Sequence, residues 1–382
     1  MPPPAVYLDH SATTPVRPEA LEAMLPYLSE SFGNAGSIHA FGRSAKAAID
    51  RAREQVAALL NADPRHILFT SGGTESDNLA IRGVLAAAGP NRRRVLVSAV
   101  EHHAVLHAAE YVRKHEGADM RVLSVDAAGR VDMHELESLL DDTVAVVSVQ
   151  HVNNETGVVQ PIERIAERCA ERGVLFHTDA VQSAGRIGLD VQRTPVSLAA
   201  LSGHKLYAPK GVGACYVAKG VAFEAQAIGG AQERGRRAGT ENVAGIVALG
   251  LACELARTEM TAEAERLRNL RDRLEQGILA YIPDTRVNGA GVDRAPHILN
   301  VGFNGADGES LILALDLEGV AVSSGSACTA GSLDPSHVLL AMGQSHQEAQ
   351  SALRFSLGRG NTGADIDRVL NILPAIVQRT RG

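Results

Sequence analysis

An acid and a lysine stand where two strand-like runs end. Leu175-Phe176-His177-Thr178-Asp179-Ala180 closes on a carboxylate, and Leu201-Ser202-Gly203-His204-Lys205 closes on an amine. Upstream, Ser71-Gly72-Gly73-Thr74-Glu75-Ser76 follows a strand and opens a helix. Glycines there let the backbone approach a ligand, and exposed N–H groups with the helix dipole favour an anion such as a phosphate. Each feature alone has a plain reading: a helix cap, a strand-end cap and a surface lysine. No Gly-Lys-Ser/Thr follows the glycines, so this is not a Walker loop.

Together they describe the needs of a pyridoxal cofactor. A lysine amine forms its Schiff base, and an acid keeps its ring nitrogen protonated so that the ring can act as an electron sink. Desolvation and neighbouring cations favour the amine as nucleophile and base. A fourth feature is Cys328. Free cysteines are usually buried, and Cys169 and Cys253 in helical patterns and Cys215 in a strand-like one fit that rule. Cys328 lies in Ser323 to Ser332, built almost wholly from small residues. It reads as an exposed thiol on a mobile tether, suited to a nucleophile that reaches in and then delivers outward. The fifth is Arg354, in the alternating Leu353-Arg354-Phe355-Ser356. Pointing inward, it would clamp a carboxylate bidentately; an exposed arginine fits the pattern equally well.

The elements that must position these residues alternate. His66–Thr70, Arg94–Ser98, Val144–Gln150 and Val174–His177 read as strands. Glu75–Ala88, Ala104–His115 and Pro161–Arg172 read as helices. This is an α/β pattern with a mostly parallel sheet, whose ligands sit at the carboxyl ends of the strands. Asn242 to Tyr281 is almost continuously helical, with a break expected at Met260 and Thr261. Beyond it, Leu299–Phe303 reads as a strand and Gly308–Glu318 as a helix.

A chain of 382 residues implies two domains. Its 45% apolar and 21% charged residues are those of a folded globular protein. The net charge of -7 offers nothing to a nucleic acid or an anionic membrane, and no apolar run is long enough to span one. Arg92, Arg93 and Arg94 read as a solvated loop before a strand. Four irregularly spaced cysteines make neither a disulfide framework nor a zinc site. With no signal pattern at Met1–Val6, a cytoplasmic location is expected.

Ordered blocks along the whole chain resemble the class V branch of fold-type I pyridoxal-phosphate enzymes, and within it the NifS/IscS-type cysteine desulfurases. They are Tyr7 to Thr14, Ser71 to Leu79, Glu101 to Val105, His151 to Gly157, His177 to Ser183, Ser202 to Lys205, Arg237 to Asn242, Ser323 to Ser332 and Arg354 to Gly358. The Ser-Ser-Gly-Ser-Ala-Cys block is the one most specific to desulfurases. The resemblance implies a large domain over 15–258 with a mostly parallel seven-stranded sheet. A smaller α+β domain, from 1–14 and 259–382, would carry the cysteine loop.

It also implies roles. Lys205 is the Schiff-base lysine, Asp179 the partner of the pyridine nitrogen, and His102 stacks on the ring and assists proton transfers. Gly73, Thr74, Ser202 and His204 hold the phosphate, Gln182 bonds the ring hydroxyl, and Asn154 and Arg354 hold the substrate carboxylate. Thr240 reaches the cofactor phosphate of the other subunit, which calls for a homodimer. Lys205 removes the Cα proton of L-cysteine. The Cys328 thiolate then attacks the substrate sulfur, leaving a persulfide and releasing L-alanine. No resident metal is implied; whether Cys328 transiently ligates an iron–sulfur cluster stays open. So does the acceptor, an iron–sulfur scaffold, a tRNA-thiolation relay or a nitrogenase-type system. An aminotransferase or a selenocysteine lyase shares the cofactor, but an aminotransferase has no need of Cys328. Ala231 and Ala238 depart from residues that are often glycine and serine. The end at Gly382 lacks a C-terminal tail that helps housekeeping members dock their scaffold.

Overall fold

The computed structural model describes residues 5–324 and 335–381. Its strands in chain order are β1 (Val6–Tyr7), β2 (Ile67–Thr70), β3 (Arg94–Ser98), β4 (Asp119–Leu123), β5 (Val144–Ser148), β6 (Leu175–Asp179), β7 (Leu198–Ser202), β8 (Gly213–Val217), β9 (Thr285–Val287), β10 (Ile298–Phe303), β11 (Val320–Ala321) and β12 (Ala352–Ser356). Seven form one sheet in the order β2-β8-β7-β6-β5-β3-β4. Strands β7, β6, β5, β3 and β4 run parallel, and β8 lies antiparallel between β7 and β2. The fold is α/β with a mostly parallel sheet. Its central strands are buried along their whole length, because helices cover both faces.

A second sheet, β12-β10-β9, is antiparallel, and β1 pairs with β11. The buried apolar residues fall into several clusters, two of which mark the division of the chain. One gathers Val147, Phe176, Leu201 and Leu249. The other gathers Leu8, Leu299, Phe303, Leu353 and Val369. The helix Val243–Tyr281 contributes to both, through Leu249 and Leu274. It runs unbroken through Met260 and Thr261. The expected break is absent because a single β-branched Thr costs only a few tenths of a kcal/mol, and Ala262 to Glu265 are good helix formers.

Two further expectations change. The run after the glycines is a continuous helical path, but Leu79–Gly83 forms a π turn between Gly73–Asn78 and Val84–Ala87. The arginine run is a loop before a strand only at Arg92 and Arg93, and its side chains are tied down. Arg92 donates to the Gly173 carbonyl at 2.7 Å, and Arg93 to the Leu85 carbonyl at 3.0 Å. Arg94 opens β3, with ion pairs to Asp119 and Asp141 at 2.8 and 2.7 Å. Cys169, Cys215 and Cys253 are buried as expected, and burial pushes the Cys169 and Cys253 thiols up to about 12. No described helix is long and apolar enough to cross a membrane.

Candidate active site

The carboxyl ends of the parallel strands open on a cavity of about 330 Å³. Strand β2 delivers Gly73 and Thr74 and strand β6 delivers Asp179. Strand β7 ends at Ser202, and the turn Gly203–Lys205 follows at once. Asn154, Gln182 and His102 come from loops after β5, β6 and β3, and Arg354 from β12 of the second sheet. Gly73, Thr74, His102, Asn154, Asp179, Gln182, Ser202, His204, Lys205 and Arg354 all line this one cavity, together with Ser11, Ala12, Asp77, Gln150 and Val181. Thr240 is exposed and is not part of that lining. Cys328 lies outside the described residues.

Lys205 is aimed by the N-terminal segment. Its Nζ donates to the carbonyls of Ser11 and, at 2.7 Å, of Ala12. The turn that carries it is pinned from the same side. Both the amide and the hydroxyl of Thr14 donate to the His204 carbonyl at 2.9 Å, and His204 Nδ1 bonds Thr13 Oγ1 at 3.0 Å. Gln182 Nε2 also donates to the Ser11 carbonyl, at 3.0 Å.

Asp179 accepts the Val181 N–H at 2.8 Å. Burial raises its carboxyl; that N–H and the Lys205 charge pull it back. His102 caps the helix His103–His115, its Nδ1 accepting the Ala104 N–H at 3.1 Å. Burial, with Lys205 nearby, lowers His102 to about 4, so at neutral pH it is uncharged with its proton on Nε2. Arg354 is buried, donating to the Asn154 carbonyl at 2.9 Å and to Asp9 Oδ1 at 2.8 Å.

The pocket wall at Gly73 is built for close approach. A Cβ there would stand 2.7 Å from Val181 Cγ2. The amides that open this helical run, with the hydroxyls of Thr74 and Ser202, offer donors to a phosphate. A carboxylate at Asp179, an imidazole at His102 and an amine at Lys205 complete a donor set that fits pyridoxal phosphate. The segment leading to Thr240 is tied to the same cup: Arg237 Nε donates to Glu75 Oε1 at 2.9 Å, and Glu75 Oε2 accepts the Ser71 N–H at 2.8 Å.

Sequence reasoning passed over five lining residues. Ser11 and Ala12 act through main-chain carbonyls, which no side chain announces. Asp77 lies inside a quoted block, one helical turn after Gly73 and therefore on its face. That spacing was the available signal.

Residues 6–369 match the family described as aminotransferase class-V. The chain is 50% identical over 376 residues to a cysteine desulfurase of Trichormus azollae, covering 98% of this chain and 94% of that one. It is 47% identical over 378 residues to the cysteine desulfurase IscS of a Clostridium botulinum strain, covering 98% and 95%. Among solved structures, a NifS-like protein superposes with a TM-score of 0.92 at 35% identity, covering 98% of this chain and all of that one.

Proposed function

Since the chain belongs to the class-V aminotransferase family and is a pyridoxal-phosphate-dependent cysteine desulfurase, we propose that its own residues divide the reaction as follows. Pyridoxal phosphate, when bound, supplies an electron-withdrawing ring that acidifies the Cα–H of the attached amino acid. Gly73, Thr74, Ser202 and His204 hold its phosphate. Asp179 sets its carboxylate against the ring nitrogen, Gln182 bonds the ring hydroxyl, and neutral His102 covers a ring face. Asn154 and Arg354 take the carboxylate of L-cysteine. Lys205, released from the Ser11 and Ala12 carbonyls, takes the Cα proton.

Cys328 receives the sulfur. Its thiolate attacks the substrate sulfur, the carbon–sulfur bond breaks towards carbon, and L-alanine leaves while a persulfide stays on Cys328. One observation carries this reading: the described residues flanking Cys328 are fastened to the cavity wall. Ser323 and Arg354 exchange main-chain hydrogen bonds, and Ser336 Oγ donates to buried Glu155 Oε2 at 2.5 Å, next to Asn154. The test is Cys328→Ser. The variant should keep the yellow bound cofactor and lose both persulfide and alanine formation. Alanine released at the normal rate would remove Cys328 from the reaction.

The working form is proposed to be a cytoplasmic homodimer, with Thr240 reaching the second subunit's cofactor phosphate. Exposed Leu25, Leu28, Phe32, Ile38 and Phe41 support a subunit contact. The two apolar clusters named above support a cofactor-binding domain over 15–258 and a smaller one from 1–14 and 259–382. The sulfur is proposed to pass to an acceptor protein for iron–sulfur assembly or tRNA thiolation.

A further inference from the structure

We propose that Asp77 is a positioning residue for the cofactor: it holds a proton at neutral pH, donates it in a hydrogen bond to His177, and so leaves Asp179 as the single charged carboxylate of the pocket. The inference rests on the reading that Asp179 faces the ring nitrogen.

The geometry forces a choice between two acids. One oxygen of Asp77, one of Asp179 and a ring nitrogen of His102 all lie within 4.8 Å of one another. Asp77 is 1% exposed and Asp179 7%. Two ionised carboxylates that close, withdrawn from water, repel strongly, and one proton removes the repulsion.

The surroundings decide which acid keeps it. Asp179 accepts the Val181 N–H at 2.8 Å and feels the cation of Lys205, both of which favour its charged form. Asp77 has no such support. Its Oδ1 accepts no hydrogen bond, and its neighbours Asp179 and Glu101 are acids. Its companion is His177, whose Nε2 lies 3.5 Å from that oxygen. His177 is fully buried, pushed down to about 3 by burial alone, and therefore neutral. Its Nδ1 shares a 2.8 Å hydrogen bond with Ser148 Oγ.

The remaining groups agree. His102 is neutral, and burial keeps the Cys215 thiol protonated. Lys205 bears on Asp179 and Arg236 on Cys215. An Nδ1–H directed at Ser148 leaves His177 Nε2 free to accept from a protonated Asp77. Strand β6 builds this arrangement, since His177 and Asp179 stand two residues apart and so on one face. β5 supplies Ser148 directly opposite His177. With Asp77 neutral, the charge of Asp179 is left whole for a pyridinium N–H.

The experiment is infrared spectroscopy of the cofactor-free protein at neutral pH, comparing wild type with Asp77→Asn. One protonated-carboxyl C=O component of the wild type is expected to be lost in the variant, leaving those of buried Glu101 and Glu155. A protonated-carboxyl envelope unchanged in Asp77→Asn, or a component that disappears only in Asp179→Asn, overturns the assignment. Should the variant fail to fold, wild type carrying carbon-13 aspartate gives the same answer apart from buried Glu101 and Glu155. A shifted protonated-aspartate band supports the proposal, and its absence refutes it. The underlying reading fails separately, if Asp179→Asn leaves cofactor affinity intact.

Discussion

Arg354 and Ser323 are joined main chain to main chain: the Arg354 N–H donates to the Ser323 carbonyl at 2.6 Å, and the Ser323 N–H returns to the Arg354 carbonyl at 3.3 Å. The guanidinium that lines the cavity thus sits on the strand that holds Ser323, five residues before Cys328. In the proposed reaction, binding of the amino-acid carboxylate and delivery of the thiol would share that support.

That arrangement makes Arg354→Lys informative. A lysine keeps the charge but not the planar fork that can serve Asp9, the Asn154 carbonyl and a carboxylate together. Losing a charge-assisted hydrogen bond costs about 1.5–3 kcal/mol, or about ten- to a hundredfold in binding. KM for L-cysteine should rise by about that factor, with a smaller change in kcat. Steady-state kinetics on cofactor-saturated protein checks it; an unchanged KM would take Arg354 out of substrate binding.

Gly73→Ala probes the cofactor wall. The added methyl would meet Val181 Cγ2 at 2.7 Å, and Val181 supplies the N–H that holds Asp179. Overpacking of this kind costs about 1–3 kcal/mol. Two readouts are expected to move together: a lower melting temperature of the cofactor-free protein and weaker pyridoxal-phosphate binding by fluorescence titration. Normal affinity with only a stability loss would show that Val181 yields without disturbing Asp179.

Much of this site was legible because its parts are sequence-local. A strand, a glycine turn and a helix start occupy consecutive residues at Ile67–Thr74, and a strand and its lysine turn do so at Leu198–Lys205. What stayed hidden depends on distant partners. The spacing from Gly73 puts Asp77 on the pocket face, but its pairing depends on His177 from β6 and Ser148 from β5. The antiparallel insertion of β8 between β7 and β2 is a choice of pairing, and Ala214-Cys215-Tyr216-Val217 reads the same in either direction. Arg354 sits in a run that looks alternating, yet β12 is buried on both faces, because it pairs with β10 inside the second core.

Glu233 is another such residue. It adopts a φ of 46°, rarely favourable outside glycine. It is held there by a buried ion pair with Arg53 at 2.7 Å and by the Phe69 N–H at 3.1 Å. The pair ties the segment before Thr240 to the helix Ala40–Leu59 and to strand β2. Glu233→Ala would leave Arg53 buried without its counter-charge, at a cost of about 3–5 kcal/mol. The midpoint of urea unfolding should fall accordingly, and the paired Arg53→Met/Glu233→Met variant should recover most of the loss. A single variant as stable as wild type would show that Arg53 finds water or another partner.

Glu101 gives a test with a definite sign in pH. It is fully buried; one oxygen accepts the Gln150 N–H at 2.7 Å and the other accepts nothing. Burial, reinforced by Asp179, holds its carboxyl well above the usual range. A carboxyl raised in the folded state binds a proton that the unfolded chain has already released. Its contribution is therefore fully present below the unfolded value and is lost as pH rises towards the folded one. The loss is about 1.4 kcal/mol per pH unit across that window. Glu101→Gln keeps the acceptor for Gln150 and removes the titration. Its stability relative to wild type should therefore improve steadily as urea unfolding is measured from pH 5 upwards, about one step of that size per unit, until the folded value is passed. A difference that does not change with pH would mean that Glu101 carries its charge inside the fold, and that a donor to its second oxygen must exist.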